Sequence, residues 1–213
     1  MIGISRGSVE LTPKKKQLKK LLSSQSKTVK MDTGEELEQL FCPICNLPMP
    51  DKLVHFHNDK LICSNCYYIY NLDLLAVSNP GFIIHCPELK QSQVTAFAMA
   101  IHASEGFDDV DEVLEEINSV FLSCRDNFER RYGEDTSLSS IMCQFLYSLS
   151  DEKYGERAKI LKDARLFPSK EYVQPMLGFL KGNYLKSYTP DKWVGLLQAV
   201  NKEFQNNKEE NDK

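Results

Sequence analysis

Residues 41–66 read FCPICNLPMPDKLVHFHNDKLICSNC. Two C-x2-C pairs, Cys42–Cys45 and Cys63–Cys66, bracket this stretch. Each C-x2-C turn brings two thiolates to one side of a tight knuckle. Two knuckles together supply four soft ligands at ~2.3 Å from one tetrahedral zinc. The opening stretch MIGISRGSVELTPKKKQ has no apolar core of the kind a secretory leader needs, so a cytosolic chain is expected. In that setting the spacing reads as a zinc site and not as a disulfide framework. Four thiolates fill the coordination sphere and leave no position for a catalytic water. The expected cofactor is therefore one structural zinc ion held by Cys42, Cys45, Cys63 and Cys66. Such a site contributes on the order of 10 kcal/mol to folding.

Inside the bracket, Leu53–His57 and Lys60–Ile62 flank Asn58-Asp59, a hairpin signal. After Cys66, the run Tyr67-Tyr68-Ile69-Tyr70 suits either a strand or a helix. A helix starting at the second knuckle makes the module a treble clef. A strand makes it a zinc ribbon. His55 and His57 raise a nuclease reading, because treble-clef nucleases of the His-Asn-His (HNH) class carry a histidine base on this hairpin. They also need metal-binding Asn or His groups on the following helix. Asn71 is the nearby candidate, and no further histidine occurs before His85. The set is incomplete, so His55 and His57 read as surface or packing residues. His85, Cys86 and His102 read as core or rim residues, and Cys124 and Cys143 stand alone.

Working outward, residues 34–80 form the zinc module. Residues 1–33 carry Arg6, Lys14, Lys15, Lys16, Lys19, Lys20, Lys27 and Lys30 with few large apolar groups. They cannot bury enough surface to offset ordering entropy, so a flexible basic arm is expected, helical near Gln17–Leu22. Its lysines could touch an anionic membrane surface or nucleic acid.

Residues 81–205 read as a mainly helical body. Phe82–His85 follows the turn signal Asn79-Pro80-Gly81 and predicts a short strand. A helix is expected over 88–103. The next has Val110, Val113, Leu114, Ile117, Phe121, Cys124 and Phe128 at helical spacing, and Gly133 stops it. Its acidic outer face at Asp108–Glu116 is a solvated face or a contact for a basic partner. Ser137 is placed to cap a third helix with Leu138, Ile141, Met142, Phe145, Leu146 and Leu149 inward. Asp151 is placed to cap a fourth, ending near Leu166-Phe167-Pro168. Ser169 is placed to cap a fifth, with Tyr172, Met176 and Leu180 inside and Pro175 as a possible kink. Thr189-Pro190 opens a last one, with Trp193, Leu196, Leu197, Val200 and Phe204 on one side. Residues 206–213 read as a disordered tail. The fold class is α+β, mainly helical: a four-cysteine, treble-clef or HNH-like zinc module with a β-hairpin, then about five or six helices.

Composition agrees with a folded chain. Of 213 residues, 42% are hydrophobic and 26% charged, which excludes wholesale disorder. The longest run without Asp, Glu, Lys or Arg, Thr136–Ser150, is rich in serine and too short for a membrane span. The formal net charge of −4 sits on an acidic body behind the basic arm, unlike the basic face of a nucleic-acid-binding domain. No phosphate loop, Ser-His-Asp order or paired catalytic carboxylates stand out.

From the cysteine pairs onward the chain resembles the IcmJ/DotN family of type IVB (Dot/Icm) secretion systems. The resemblance rests on both knuckles, on Pro87-Glu88-Leu89 after a short strand, and on two later turns. These are Tyr132-Gly133-Glu134-Asp135-Thr136-Ser137 and Arg165-Leu166-Phe167-Pro168-Ser169. It covers about Phe41–Lys181, leaving the basic arm and the segment after Thr189 outside. The resemblance implies a non-catalytic zinc protein with an HNH-like module that lacks the working active site. It implies a place at the cytoplasmic face of the bacterial inner membrane, bound to the C-terminal tail of a DotL-like coupling ATPase. DotM-like and IcmS/IcmW-like subunits are the implied neighbours, and effector recruitment the implied task. A relative in a conjugative system is equally compatible.

Overall fold

A computed structural model describes residues 2–4, 14–30, 36–74, 80–105 and 111–183, together with Lys192, Gly195 and Gln198. Of the last helix expected after Thr189, Lys192, Gly195 and Gln198 are helical, while Trp193, Leu196, Leu197, Val200 and Phe204 lie outside the described residues, as does the tail 206–213.

The described chain is α+β, with eight α-helices and three two-stranded antiparallel sheets. Helix α1 (Lys15–Gln25) leads into strand β1 (Ser26–Lys30), which pairs with β2 (Glu36–Leu40), Thr28 opposite Glu38. The first knuckle follows directly. The hairpin β3 (Val54–His57) and β4 (Lys60–Cys63) comes next, with Val54 opposite Cys63. Asn58 and Asp59 both take positive φ, 46° and 59°, the demand of a two-residue turn whose twist matches its strands. Helix α2 (Ser64–Tyr70) starts where β4 ends.

The body is organised around β5 (Gly81–His85) and β6 (Ala164–Pro168), paired so that Ile83 faces Leu166 across the sheet. Helices α3 (Gln91–Ser104), α4 (Asp111–Tyr132), α5 (Ser139–Ser148), α6 (Asp151–Gly155), α7 (Arg157–Ile160) and α8 (Lys170–Asn183) complete it. Helix α4 packs on β5 and α3 on β6. Ile83, Ile84 and Leu166 are fully buried beneath these helices. The ring of Phe121 lies 5.6 Å from Phe97 and 4.5 Å from Phe167, tying both helices to β6. The helical spacing read in α4 is obeyed, since Leu114, Ile117, Phe121 and Phe128 are all buried.

Five expectations need correction. The flexible arm expected over 1–33 is more structured in its described part than its composition suggests, and the helix expected near Gln17–Leu22 is present. Residues 15–30 are a helix and a strand, and Ile2 and Ile4 are buried. Helix α1 fully buries no residue; Leu18 and Leu21 pack against the core, Gln17 donates to Asp59 at 2.9 Å, and Gln25 anchors its end. The Gln25 amide donates to Leu61 O at 2.8 Å and accepts from Leu61 N at 3.1 Å, so it serves as a partner strand for the edge of β4. The fourth helix does not run to Pro168. It breaks into α6 and α7, and 164–168 is strand β6. Burial at both Leu166 and Phe167 suits a sheet covered on two faces. Ser150, not Asp151, caps α6, its hydroxyl accepting from Lys153 N. Ser137 does not cap α5; its hydroxyl bonds Glu129 and Leu138 stands at the N-cap. On α5, Met142 and Leu146 point inward as read, but Leu138 and Phe145 are 48% and 41% exposed.

Ser169 does cap α8, accepting from Tyr172 N at 3.3 Å, and Tyr172, Met176 and Leu180 are buried as their spacing predicts.

Candidate metal centre

The first knuckle is built from backbone hydrogen bonds. Met49 N donates to Leu40 O (2.8 Å), Cys42 N to Leu47 O (2.9 Å) and Asn46 N to Cys42 O (2.8 Å). Asn46 turns the chain with φ of 57°, a conformation that asparagine tolerates better than most residues. Cys42 and Cys45 therefore leave the turn on one side. The second pair is fixed by a strand-to-helix junction. Cys63 is both the last residue of β4 and the N-cap of α2, and Cys66 lies in the first turn of that helix.

The structure brings all four predicted ligands together. The four sulfurs lie within 4.8 Å of one another, and Cys45 Sγ is 3.6 Å from Cys63 Sγ. Sulfurs at ~2.3 Å from a tetrahedral ion sit about 3.8 Å apart, so the donor set fits a single metal ion. Cys42, Cys63 and Cys66 are buried and Cys45 is half-buried. Among the described residues this is the one such grouping of His, Cys, Asp and Glu.

The electrostatics point the same way. Hydrogen bonds from Cys45, Cys63 and Cys66 hold the Cys42 thiol well below its ordinary range. Hydrogen bonding to Cys42 and Cys45, with burial added, pushes Cys63 and Cys66 well above it. The cluster by itself thus keeps protons that a divalent cation would displace. Tyr70 is raised by burial and then by the nearby Cys66 and Cys42.

The two hairpin histidines pack on α2. His55 stacks on Tyr67 with centroids 4.3 Å apart and 6° between the rings, and its Nε2 is 3.0 Å from Ser64 Oγ. His57 stacks on Tyr70 at 5.0 Å. Asn71, the one nearby partner for a nuclease reading, is buried at the end of α2 and donates to Tyr67 O at 3.0 Å. His85 accepts from Arg131 at 3.3 Å, and His102 pairs with Glu105 at 2.6 Å. Cys86 is fully buried and its thiol is pushed up by a hydrogen bond with Cys124 and by burial. Cys143 is raised to about 11, chiefly by burial. None of these three cysteines joins the four-sulfur cluster.

Burial lowers the His57 pKa below its usual 6.5, so the folded chain resists charging it. The unfolded chain protonates first as pH falls. Stability contributed by neutral His57 is full above pH ~6.5 and is lost as pH drops toward the folded value. The expected result is a urea midpoint that falls between pH 7 and 5.5, with a smaller fall in His57→Phe, which keeps the stack on Tyr70. Equal slopes in both proteins would remove His57 from the account.

Sequence reasoning missed two supports of this module. Tyr172 on α8 donates to Asn65 O at 2.5 Å, pinning the first turn of α2 to the body. Its place on the inner face was legible, but its hydroxyl partner was not. Residues 2–4 were missed as well, although Ile-Gly-Ile in a polar stretch was a signal.

A separate cavity of about 640 Å³ opens between β5, α4 and the start of α8. Phe82 and Phe167 form one wall, with Arg125, His102 and Lys170 around it.

No protein-family model matches the chain, and no curated protein matches it. Among the described residues no helix is long and apolar enough to cross a membrane.

Proposed function

We propose that this chain is a non-catalytic, zinc-stabilised adaptor of the IcmJ/DotN kind. The observation that carries the reading is the closed cluster of Cys42, Cys45, Cys63 and Cys66. Four thiolates around one ion give it a folding role and leave no open site for substrate or water. The finer reading of the module is a treble clef. Support comes from the order knuckle, hairpin, helix, with α2 beginning at Cys63, where a zinc ribbon would continue as strand. The metal of choice is zinc, because two C-x2-C knuckles offering four thiolates are the usual donor set of structural zinc.

The adaptor binds the C-terminal tail of a DotL-like coupling ATPase, alongside DotM-like and IcmS/IcmW-like subunits. It acts at the cytoplasmic face of the inner membrane, where the assembly collects effector proteins for export. This part of the reading rests on the resemblance across residues 41–181. The commitment of His55 and Asn71 to packing and helix-end hydrogen bonds agrees with a module that does no hydrolysis.

The test is binding of the purified, zinc-loaded chain to the isolated tail of the coupling ATPase from the same organism. A saturable complex that co-elutes with the chaperone pair is expected. Failure to bind that tail overturns the adaptor reading. Magnesium-dependent DNA cleavage that disappears in His55→Ala would put a nuclease in its place. Affinity for nucleic acid that falls steeply with salt would put a nucleic-acid-binding zinc ribbon there.

A further inference from the structure

Residues 2–4 lie far from the metal module in sequence terms, yet they are built into its back. Gly3 N donates to Ile69 O at 3.1 Å, and Leu72 N donates to Gly3 O at 2.9 Å. Gly3 thus bonds to the chain on both sides of the end of α2. Ile4 is gripped from the other direction. Its N–H donates to the Tyr154 hydroxyl at 3.0 Å, and that hydroxyl donates to Ile4 O at 2.8 Å. Tyr154 belongs to α6, in the body. Arg157 lies over its ring at 3.9 Å and donates to its carbonyl at 2.9 Å. Ile2 is fully buried and Ile4 is 4% exposed.

The slot accepts only glycine at its centre. A Cβ on Gly3 would lie 2.7 Å from Tyr70 O, a backbone atom that cannot swing away, and 3.3 Å from the Tyr154 hydroxyl. The pattern of buried Ile, glycine, buried Ile is therefore what this slot requires.

We propose that Ile2-Gly3-Ile4 is a clasp that joins α2 to α6 and thereby governs how firmly the cysteine cluster holds its metal. The inference rests on the metal-binding reading of that cluster. The link is α2. It has two turns, too few to be stable in isolation. It begins at the ligand Cys63 and contains the ligand Cys66. Its first turn is anchored by Tyr172 through Asn65 O. Its last turn is anchored through Ile69 O and the following Leu72 N, both held by Gly3. Releasing the clasp frees the end of α2 one turn from Cys66, and a ligand on a fraying helix leaves its ion more often.

The experiment loads the full chain with zinc and follows its release to an excess of a chromogenic chelator. Four proteins are compared: the unaltered chain, Gly3→Val, Tyr154→Phe and Leu146→Ala. Leu146 is fully buried in α5 and serves as a control for general destabilisation. Tyr154→Phe keeps the ring and removes only the hydroxyl, so it folds even if Gly3→Val does not. Amide exchange at Asn71 and Leu72 is measured in parallel. The expected result is zinc release about fivefold to tenfold faster in Tyr154→Phe, the factor set by losing one or two net hydrogen bonds. Faster exchange at Leu72 should accompany it, with Leu146→Ala near the unaltered rate for both. Release from the clasp variants no faster than from Leu146→Ala overturns the clasp while the metal reading stands. An unaltered chain that takes up no metal overturns the metal reading, and the clasp falls with it.

Discussion

Cys42→Ser and Cys66→Ser are each expected to lose the metal and the ordered structure of residues 40–70, while Cys124→Ser keeps both. The reasoning starts from the size of the module. Leu40, Met49, Leu61, Ile62, Tyr67 and Ile69 are buried there, but a unit of two short sheets and a two-turn helix is of a size that rarely holds a fold without a staple. A zinc ion bound there would supply on the order of 10 kcal/mol, more than the whole stability of many domains. A serine oxygen in place of a thiolate weakens a soft four-sulfur site at one corner and leaves three thiols in competition for protons. Cys124 sits in α4, its thiol hydrogen-bonded with that of Cys86 and outside the cluster. Metal content by plasma emission and the near-ultraviolet dichroism of Tyr67, Tyr68 and Tyr70 read out both effects. Equal zinc loss from all three variants would show that the ligands are assigned wrongly.

Gly81→Ala should produce the second large loss. Gly81 has φ of +115°, a conformation closed to side chains. A Cβ there would lie 2.0 Å from Phe167 O and 2.9 Å from Ser169 N. Both are backbone atoms of β6 and the cap of α8, so neither can give way without breaking the pairing. Backbone strain and loss of sheet contacts together place the cost at about 3–5 kcal/mol, the upper end for single substitutions. Chemical denaturation of Gly81→Ala beside Gly155→Ala checks it, since a Cβ on Gly155 meets nothing within 4 Å. Similar midpoints for the two would mean that β5 and β6 relax more readily than their contacts imply.

The four-cysteine cluster was legible because its spacing is local. Two C-x2-C turns announce their ligands within four residues each, and Asn58-Asp59 announces the hairpin between them. The helical periodicity of α4 was equally plain. Strand β6 was not, because Ala164–Pro168 has no periodicity of its own. It is a strand only because β5 lies beside it and Gln91 bonds both Leu166 O and Leu166 N on the other edge, at 2.7 and 2.8 Å. Much the same holds for residues 15–30, whose helix was legible near Gln17–Leu22 but whose anchors were not: the β1–β2 pairing, the packing of Leu18 and Leu21 on the core, and the Gln25 amide meeting an edge strand 36 residues away. Single-residue contacts across such distances leave no trace in composition or spacing.

The pairing of β5 with β6 also sets a timetable. Ile83 waits for Leu166, so the central sheet cannot close until the intervening helices have been made. At ~5–20 residues per second of synthesis, β5 stands with an open edge for several seconds. Long-range pairing of this kind slows folding, because chain closure precedes any gain from the contacts. The four cysteines, Cys42 to Cys66, are all made long before β6, so a metal ion could be taken up before the sheet closes, ahead of the anchors that Tyr154 and Tyr172 later add. A nascent chain arrested before residue 164 should therefore already protect Cys42, Cys45, Cys63 and Cys66 from alkylation while Ile83 and Ile84 still lack their partner strand.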